Sequence, residues 1–143
     1  MPQELIYLVE DDYHQAKSTL DLVELGFGQT VRVEVVASES DFLKRFEGIA
    51  ANRPACILLD IMLPWSATKI SEGQPRRDSF MTAGLECCKK LRADKRTAQI
   101  PVLLYSVWDS KDIDGIPDGT EFMRKDAPDR DVIAWIKKTL SRS

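Results

Sequence analysis

A run of apolar residues that ends in a carboxylate is the feature that most constrains this chain. The run extends from Ala55 to Leu59, and Asp60 follows it directly. A strand that is apolar throughout is typical of the centre of a parallel sheet, where helices cover both faces. A carboxylate at the end of such a strand costs free energy unless it is paired or binds a metal. The pattern therefore predicts a central strand with a functional acid at its carboxyl end.

Strand-like and helix-like segments alternate along the rest of the chain. Apolar and β-branched runs predict five strands, at Leu5–Val9, Val31–Val36, Ala55–Leu59, Val102–Tyr105 and Glu121–Arg124. Helical periodicity predicts helices at Tyr13–Leu25, after a cap at Ser38 or Ser40, after Gly84, and at Asp129–Leu140. This alternation predicts a doubly wound α/β fold, with helices on both faces of a parallel sheet.

Two segments depart from this rhythm. Trp65 to Ala83 has no clear period and is long for a connection between a strand and a helix, so we predict an insertion loop over 65–83. The pattern leaves open whether this loop faces a partner, gates the site or is a tolerated surface insertion. Asp109 to Gly119 contains two Gly and one Pro, which predicts a short or degenerate fourth helix. No linker is evident, and we expect residues 1–143 to form one domain.

Composition excludes several classes of protein. The chain has 143 residues and a formal net charge of −3, which gives no electrostatic footprint for direct binding to nucleic acid. No apolar run approaches the roughly 20 residues that span a bilayer, and the N-terminus lacks the layout of a signal peptide. We therefore expect a cytoplasmic protein that does not bind membranes. Cys56, Cys87 and Cys88 are expected to be small buried hydrophobes rather than a disulfide framework.

Polar residues follow three other predicted strands at the point where each strand ends. The acidic run Glu10–Asp12 follows the first strand, Ser106 follows the fourth and Lys125 follows the fifth. In an open parallel sheet, ligands bind beyond the carboxyl ends of the strands. We therefore expect these side chains to gather around Asp60. Carboxylates, a hydroxyl and an ammonium together suit a divalent cation and a phosphoryl group.

These residues, taken in order, resemble the receiver domain of two-component response regulators, and the resemblance covers essentially the whole chain. It implies a flavodoxin-like, five-stranded sheet in the order 2-1-3-4-5, in a stand-alone domain like the chemotaxis regulators. It also implies that a sensor histidine kinase or a phosphotransfer protein passes a phosphoryl group to Asp60. The chain would then signal by binding a downstream protein, unknown from the sequence, and would be no enzyme beyond its own phosphoryl transfer and dephosphorylation.

The resemblance assigns metal ligands as well. Mg²⁺ would be required, and Asp11 and Asp60 would bind it directly. By analogy with the family, Met62 would contribute its backbone carbonyl, and Glu10 would bind through a water molecule. This ligand set agrees with the preference of Mg²⁺ for oxygen ligands and for retained water.

The remaining family roles fall on the fourth and fifth strands. Lys125 and Ser106 would contact oxygens of the phosphoryl group, and Ser106 and Phe122 would form the switch. Two positions depart from the family pattern. Asp126 follows Lys125 where receivers usually have Pro, so we expect a trans peptide bond there. Val107 follows Ser106 where a smaller residue is common, and it should narrow access to the phosphoryl group.

Other interpretations remain open at this point. The Glu10–Asp12 run could simply cap the first helix, because acids favour helix N-termini. The whole chain could be a degenerate receiver that binds its partner without phosphorylation. It could also be a phosphohydrolase of the haloacid dehalogenase type, although that family places a second Asp where Met62 stands here.

Overall fold

A five-stranded parallel sheet lies at the centre of the protein. The computed structural model describes residues 3–61, 77–106, 111, 113 and 115–141, and for residues 77–82 it describes the backbone alone. The strands are β1 Glu4–Val9, β2 Val31–Val36, β3 Cys56–Asp60, β4 Val102–Ser106 and β5 Glu121–Arg124. Their order is β2-β1-β3-β4-β5, and every neighbouring pair is parallel. The predicted flavodoxin-like order is confirmed, with β3 in the middle.

Four α-helices occur in the part of the chain that the structure describes. They are α1 Tyr13–Phe27, α2 Glu39–Ala51, α3 Arg77–Ala93 and α4 Asp129–Leu140. Side-chain caps begin two of them: Asp12 caps α1, and Ser38 rather than Ser40 caps α2 by accepting the Asp41 N–H at 3.2 Å. These caps set where the chain turns from the strand ends into the helices.

Successive strand residues point to opposite faces of the sheet and divide the core in two. On one face, Ile57 and Leu59 of β3 pack with buried residues of α2 and α3, among them Phe42 and Leu91. We call this group the α2/α3 cluster. On the other face Leu58 packs with buried residues of α1 and α4. This second group, the α1/α4 cluster, includes Ile6, Leu8, Ala16, Val23, Leu103, Trp135 and Ile136.

The start of the third helix was predicted wrongly. Helix α3 begins at Arg77, so the predicted 65–83 loop overlaps its first turns. Gly84 was taken as the boundary, but it lies inside α3, where it packs directly on the end of β3. A Cβ at this position would collide with the Asp60 carbonyl oxygen and would lie 2.6 Å from the Ile61 Cα. Gly84 therefore permits a close approach between helix and strand instead of preceding a helix.

Other predictions have mixed outcomes. Between β4 and β5, the described residues 111, 113 and 115–120 contain no α-helix, in agreement with a short or degenerate fourth helix. Cys56, Cys87 and Cys88 are buried free thiols, as expected. Met62, Trp65 and Val107 lie outside the described residues. Within the described part of the chain, no helix has the length and apolar character needed to cross a membrane.

Candidate functional site

The acidic run after β1 serves two purposes. Asp12 accepts a hydrogen bond from the Gln15 N–H at 3.0 Å and caps α1, so the capping interpretation holds for this residue. Glu10 is buried, with 1% of its surface exposed, whereas Asp11 is exposed. The Glu10 Oε1 accepts the Asp12 N–H at 3.2 Å. Asp12 therefore caps the helix, while the buried Glu10 side chain is available to the interior of the site.

Three carboxylates meet at the carboxyl ends of β1 and β3. Asp60 is the last residue of β3 and is buried, with 3% of its surface exposed. One carboxylate oxygen from each of Glu10, Asp11 and Asp60 lies within 4.8 Å of the others. The sheet order explains this meeting, because β1 and β3 are neighbours and end at the same edge. The predicted gathering of these acids is therefore observed.

Lys125 supplies the positive charge of this site. Its Nζ lies 2.9 Å from the Asp60 Oδ2 and 3.2 Å from the Glu10 Oε2. Its backbone N–H donates to the Ser106 carbonyl oxygen at 2.8 Å, which joins the ends of β5 and β4. The Lys125–Asp126 peptide is trans, as predicted, since no cis bond occurs among the described residues. We refer to Glu10, Asp11, Asp60 and Lys125 together as the acid site.

Burial and mutual repulsion dominate the electrostatics of the acid site. Burial and the nearby Asp60 charge raise the pKa of Glu10 from 4.5 to about 7, although Lys125 opposes the shift. Burial and the Glu10 charge also raise the pKa of Asp11. Burial lowers the pKa of Lys125, but its hydrogen bond to Asp60 and the two carboxylate charges outweigh burial and leave that pKa above its usual value. One ammonium thus neutralises the three acids incompletely.

Ser106 and Phe122 lie on strands β4 and β5. Ser106 ends β4 and is buried, with 1% of its surface exposed. Phe122 is partly buried against the α2/α3 cluster and pairs in register with Leu104, two residues before Ser106. The fold therefore places Ser106 on the strand beside β3, which carries Asp60, and Phe122 on the next strand out. Met62, whose backbone carbonyl is expected to bind the metal ion, lies outside the described residues.

Comparison with known proteins identifies the family. The chain is 31% identical to the Detocs response regulatory protein DtcB of Vibrio alginolyticus over 113 residues, which are 79% of this chain and 72% of that protein. This chain belongs to the response regulator receiver family. No protein-family profile matches it.

Solved structures of receivers have the same fold. The receiver domain of a signal transduction histidine kinase from Syntrophus aciditrophicus superposes with a TM-score of 0.71 at 23% identity, covering 96% of this receiver and 90% of that chain. The receiver domain of a sensor histidine kinase from Pseudomonas aeruginosa gives a TM-score of 0.70 at 15% identity, with 98% and 99% covered. A magnesium ion is coordinated in the active-site cleft of the Pseudomonas protein.

The donor set of this receiver suits Mg²⁺. Glu10, Asp11 and Asp60 offer hard carboxylate oxygens, and Asp11 is open to solvent, so a cation that keeps some of its water could be accommodated. A cation would also relieve the repulsion that raises the pKa of Glu10. Both the chemistry and the spacing of the carboxylates therefore fit this ion.

One residue of the site was missed by sequence reasoning. Tyr105 precedes Ser106, and its hydroxyl donates to the Glu10 Oε2 at 3.0 Å. The Lys125 Nζ lies 5.2 Å from the centroid of the Tyr105 ring. The sequence treats Tyr105 simply as the last apolar residue of a strand. The available signal was its hydroxyl, because a tyrosine near the end of an interior strand usually needs a hydrogen-bond partner there.

Proposed function

We propose that this receiver accepts a phosphoryl group on Asp60 from a histidine kinase or a phosphotransfer protein. The observation that carries the proposal is the 2.9 Å ion pair between Lys125 and Asp60, set among three converging carboxylates. A carboxylate that merely stabilised the fold would need no further acids beside it. The excess negative charge is instead explained by a site that takes up a cation and an anionic group together.

The residues present support in-line phosphoryl transfer. An Asp60 carboxylate oxygen attacks phosphorus, the new P–O bond forms as the P–N bond to the donor histidine breaks, and the imidazole takes up a proton. Lys125 then binds an oxygen of the transferred group as a point charge, and the Ser106 hydroxyl donates to another. Because the side chains hold no covalent role beyond the attack, catalysis consists of positioning and electrostatic stabilisation.

Mg²⁺ is the proposed cofactor. When bound, it neutralises charge on the phosphoryl oxygens and on the carboxylates that crowd Asp60. Asp11 and Asp60 would hold it directly, Met62 would offer its backbone carbonyl, and Glu10 would bind through water. The solvent-exposed position of Asp11 beside two buried acids favours this division of roles.

Signalling is proposed to follow from a change at the ends of β4 and β5. Movement of Ser106 toward the phosphoryl group would free space for Phe122, which packs on the α2/α3 cluster and lacks a hydroxyl to anchor it. The altered surface would be recognised by a downstream protein. The receiver would thus catalyse only its own phosphorylation and dephosphorylation, and the dehalogenase-type alternative is disfavoured because Met62 stands where its second Asp would be.

Incubation with acetyl phosphate and Mg²⁺ tests the proposal. Intact-mass spectrometry should detect one added phosphoryl group, which hydroxylamine removes because it is an acyl phosphate. The Asp60→Asn variant should take up none. Asp12→Asn is the matched control, since Asp12 is an acid of the same region that caps a helix, and it should be labelled like the wild type. Labelling that persists in Asp60→Asn would contradict the assignment.

A further inference from the structure

Tyr105 links the acid site to the face of the sheet opposite Phe122. Tyr105 packs against the α1/α4 cluster, whereas Phe122 packs against the α2/α3 cluster. The last two residues of β4, Tyr105 and Ser106, leave the strand on different faces because side chains alternate along a strand. The acid site is therefore connected to both layers of helices. The proposed switch residues Ser106 and Phe122 lie on the face of the α2/α3 cluster, and Tyr105 lies on the face of the α1/α4 cluster.

The Glu10 carboxylate is held by three donors. Its Oε1 accepts the Asp12 N–H at 3.2 Å, and its Oε2 accepts both the Lys125 Nζ at 3.2 Å and the Tyr105 hydroxyl at 3.0 Å. A buried carboxylate requires such donors, because it has lost its water. Of the two donors on Oε2, the ammonium also serves Asp60, but the described contacts of the hydroxyl are with Glu10.

Phosphorylation of Asp60, under the proposed function, places new negative charge next to Lys125. The ammonium is then drawn toward the phosphoryl oxygens, with which charge-assisted hydrogen bonds are strong. Its bond to Glu10 weakens at the moment when Glu10 must stay oriented toward the water of the metal ion. The Asp12 N–H still donates to the Glu10 Oε1, and the Tyr105 hydroxyl, which is neutral, is the donor that remains on the Oε2.

The surroundings of the Tyr105 ring support this role. A cavity of about 290 Å³ lies between α1 and α4, and its lining includes Tyr105, Leu22, Met123 and Val132. One side of the ring packs against the α1/α4 cluster, and open space borders another side. The hydrogen bond to Glu10 therefore adds to packing in orienting the ring.

We propose that Tyr105 is a positioning residue, whose hydroxyl keeps the Glu10 carboxylate in place when Lys125 turns toward the phosphoryl group. This inference rests on the proposed function and assigns it one more residue. Tyr105 touches neither the phosphoryl group nor the metal ion; it acts through Glu10. Its contribution is consequently larger in the phosphorylated state than in the unphosphorylated state, where Lys125 shares the task.

Mg²⁺ affinity measured by calorimetry, with and without beryllofluoride as a phosphoryl mimic, tests the inference. Tyr105→Phe should weaken Mg²⁺ binding about tenfold with beryllofluoride, the effect of losing a hydrogen bond to a charged group, and only about twofold without it. Tyr7→Phe is the matched control, because Tyr7 loses the same hydroxyl but packs on the α2/α3 cluster. Equal affinities for the two variants in both states would overturn the inference.

A double-mutant cycle separates positioning from a general structural effect. If Tyr105 acts through Glu10, Tyr105→Phe should have no further effect on Mg²⁺ affinity in a Glu10→Gln background. Fully additive effects would contradict the inference. If the wild type is phosphorylated at Asp60 but Tyr105→Phe behaves like Tyr7→Phe, the role of Tyr105 is wrong and the proposed function stands. A wild type that takes up no phosphoryl group contradicts both.

Discussion

The acid site and a surface ion network around Arg96 have similar parts but opposite electrostatics. In the acid site, the exposed fraction of the Lys125 side chain is 15%, and its two carboxylate partners are almost fully buried. Arg96 is 50% exposed and pairs with Glu47 at 2.6 Å and with Asp94 at 2.8 Å. In each arrangement one cation pairs with two acids, so the differences are burial and the third carboxylate, Asp11, that adjoins the acid site.

The pKa shifts of the acids follow these differences. Hydrogen bonds from Arg96 lower the pKa of Asp94 to about 2 and also lower the pKa of Glu47. Burial raises the pKa of Glu10 to about 7 even though Lys125 is within hydrogen-bond distance. On the surface a cation is enough to satisfy two carboxylates, because water supplies the rest. In the interior, one cation does not neutralise the buried carboxylates. The acid site therefore favours the binding of a second cation.

Removal of the cation should separate the two regions most clearly. Lys125→Met leaves buried carboxylates without their partner, and we expect the free energy of unfolding at neutral pH, without Mg²⁺, to fall by about 3 kcal/mol. Arg96→Met is the matched control and should remain within experimental error of the wild type, because solvent screens its charges. Urea denaturation followed by circular dichroism measures both. Similar losses for the two variants would mean that burial is not what distinguishes the regions.

Added Mg²⁺ should stabilise the acid site and leave the surface network unaffected. At a concentration 100 times its dissociation constant, a ligand that binds only the folded state raises the free energy of unfolding by about 2.7 kcal/mol. Thermal melts of the wild type should therefore shift upward with Mg²⁺. The upward shift in melting temperature should be much smaller in Asp11→Asn than in the wild type. In Asp94→Asn it should be as large as in the wild type. An equal shift in Asp11→Asn would count against Asp11 as a ligand.

The pH dependence of stability should sharpen the contrast further. The folded pKa of Glu10 is raised, so the folded state binds more protons than the unfolded state between pH 4.5 and about 7. With a chelator present to remove Mg²⁺, the free energy of unfolding should therefore fall as pH rises through this window. The expected fall is on the order of 1 kcal/mol between pH 5.5 and 7. The pKa values of Asp94 and Glu47 are lowered in the folded state, so these two acids change the free energy of unfolding only below this pH window.

Glu10→Gln should flatten this decline, because the glutamine does not titrate. Denaturation curves at closely spaced pH values compare it with Glu47→Gln, the matched change in the surface network, which should retain the decline. A wild type whose stability does not fall with pH across the window would show that the pKa of Glu10 is not raised in the folded state.

The sequence predicted the sheet and the gathering of acids because both depend on local patterns. The apolar run before Asp60 has one plausible place, the middle of a parallel sheet, and it occupies that place. The positions of Glu10 and Lys125 follow from strand ends that share one edge. Such inferences need only periodicity and topology, and no knowledge of distances.

The features that the sequence did not predict depend on contacts between distant segments. Gly84 was taken as the residue before the third helix, but its role comes from the β3 backbone that lies against it, which no local pattern records. Tyr105 was interpreted as apolar, since its hydroxyl finds Glu10 across 95 positions of sequence. The division of the Glu10–Asp12 run between a helix cap and the acid site likewise became evident only from side-chain directions.

The contact between Gly84 and the end of β3 has a consequence for how receivers of this kind can diverge in length. The Gly84 N–H donates to the Ile61 carbonyl oxygen at 2.8 Å, so the chain that departs at Ile61 returns to the same point. The two ends of this connection are therefore held together. We expect the number of residues between Ile61 and Gly84 to vary among such receivers without shifting Asp60, because one hydrogen bond fixes both ends of the connection.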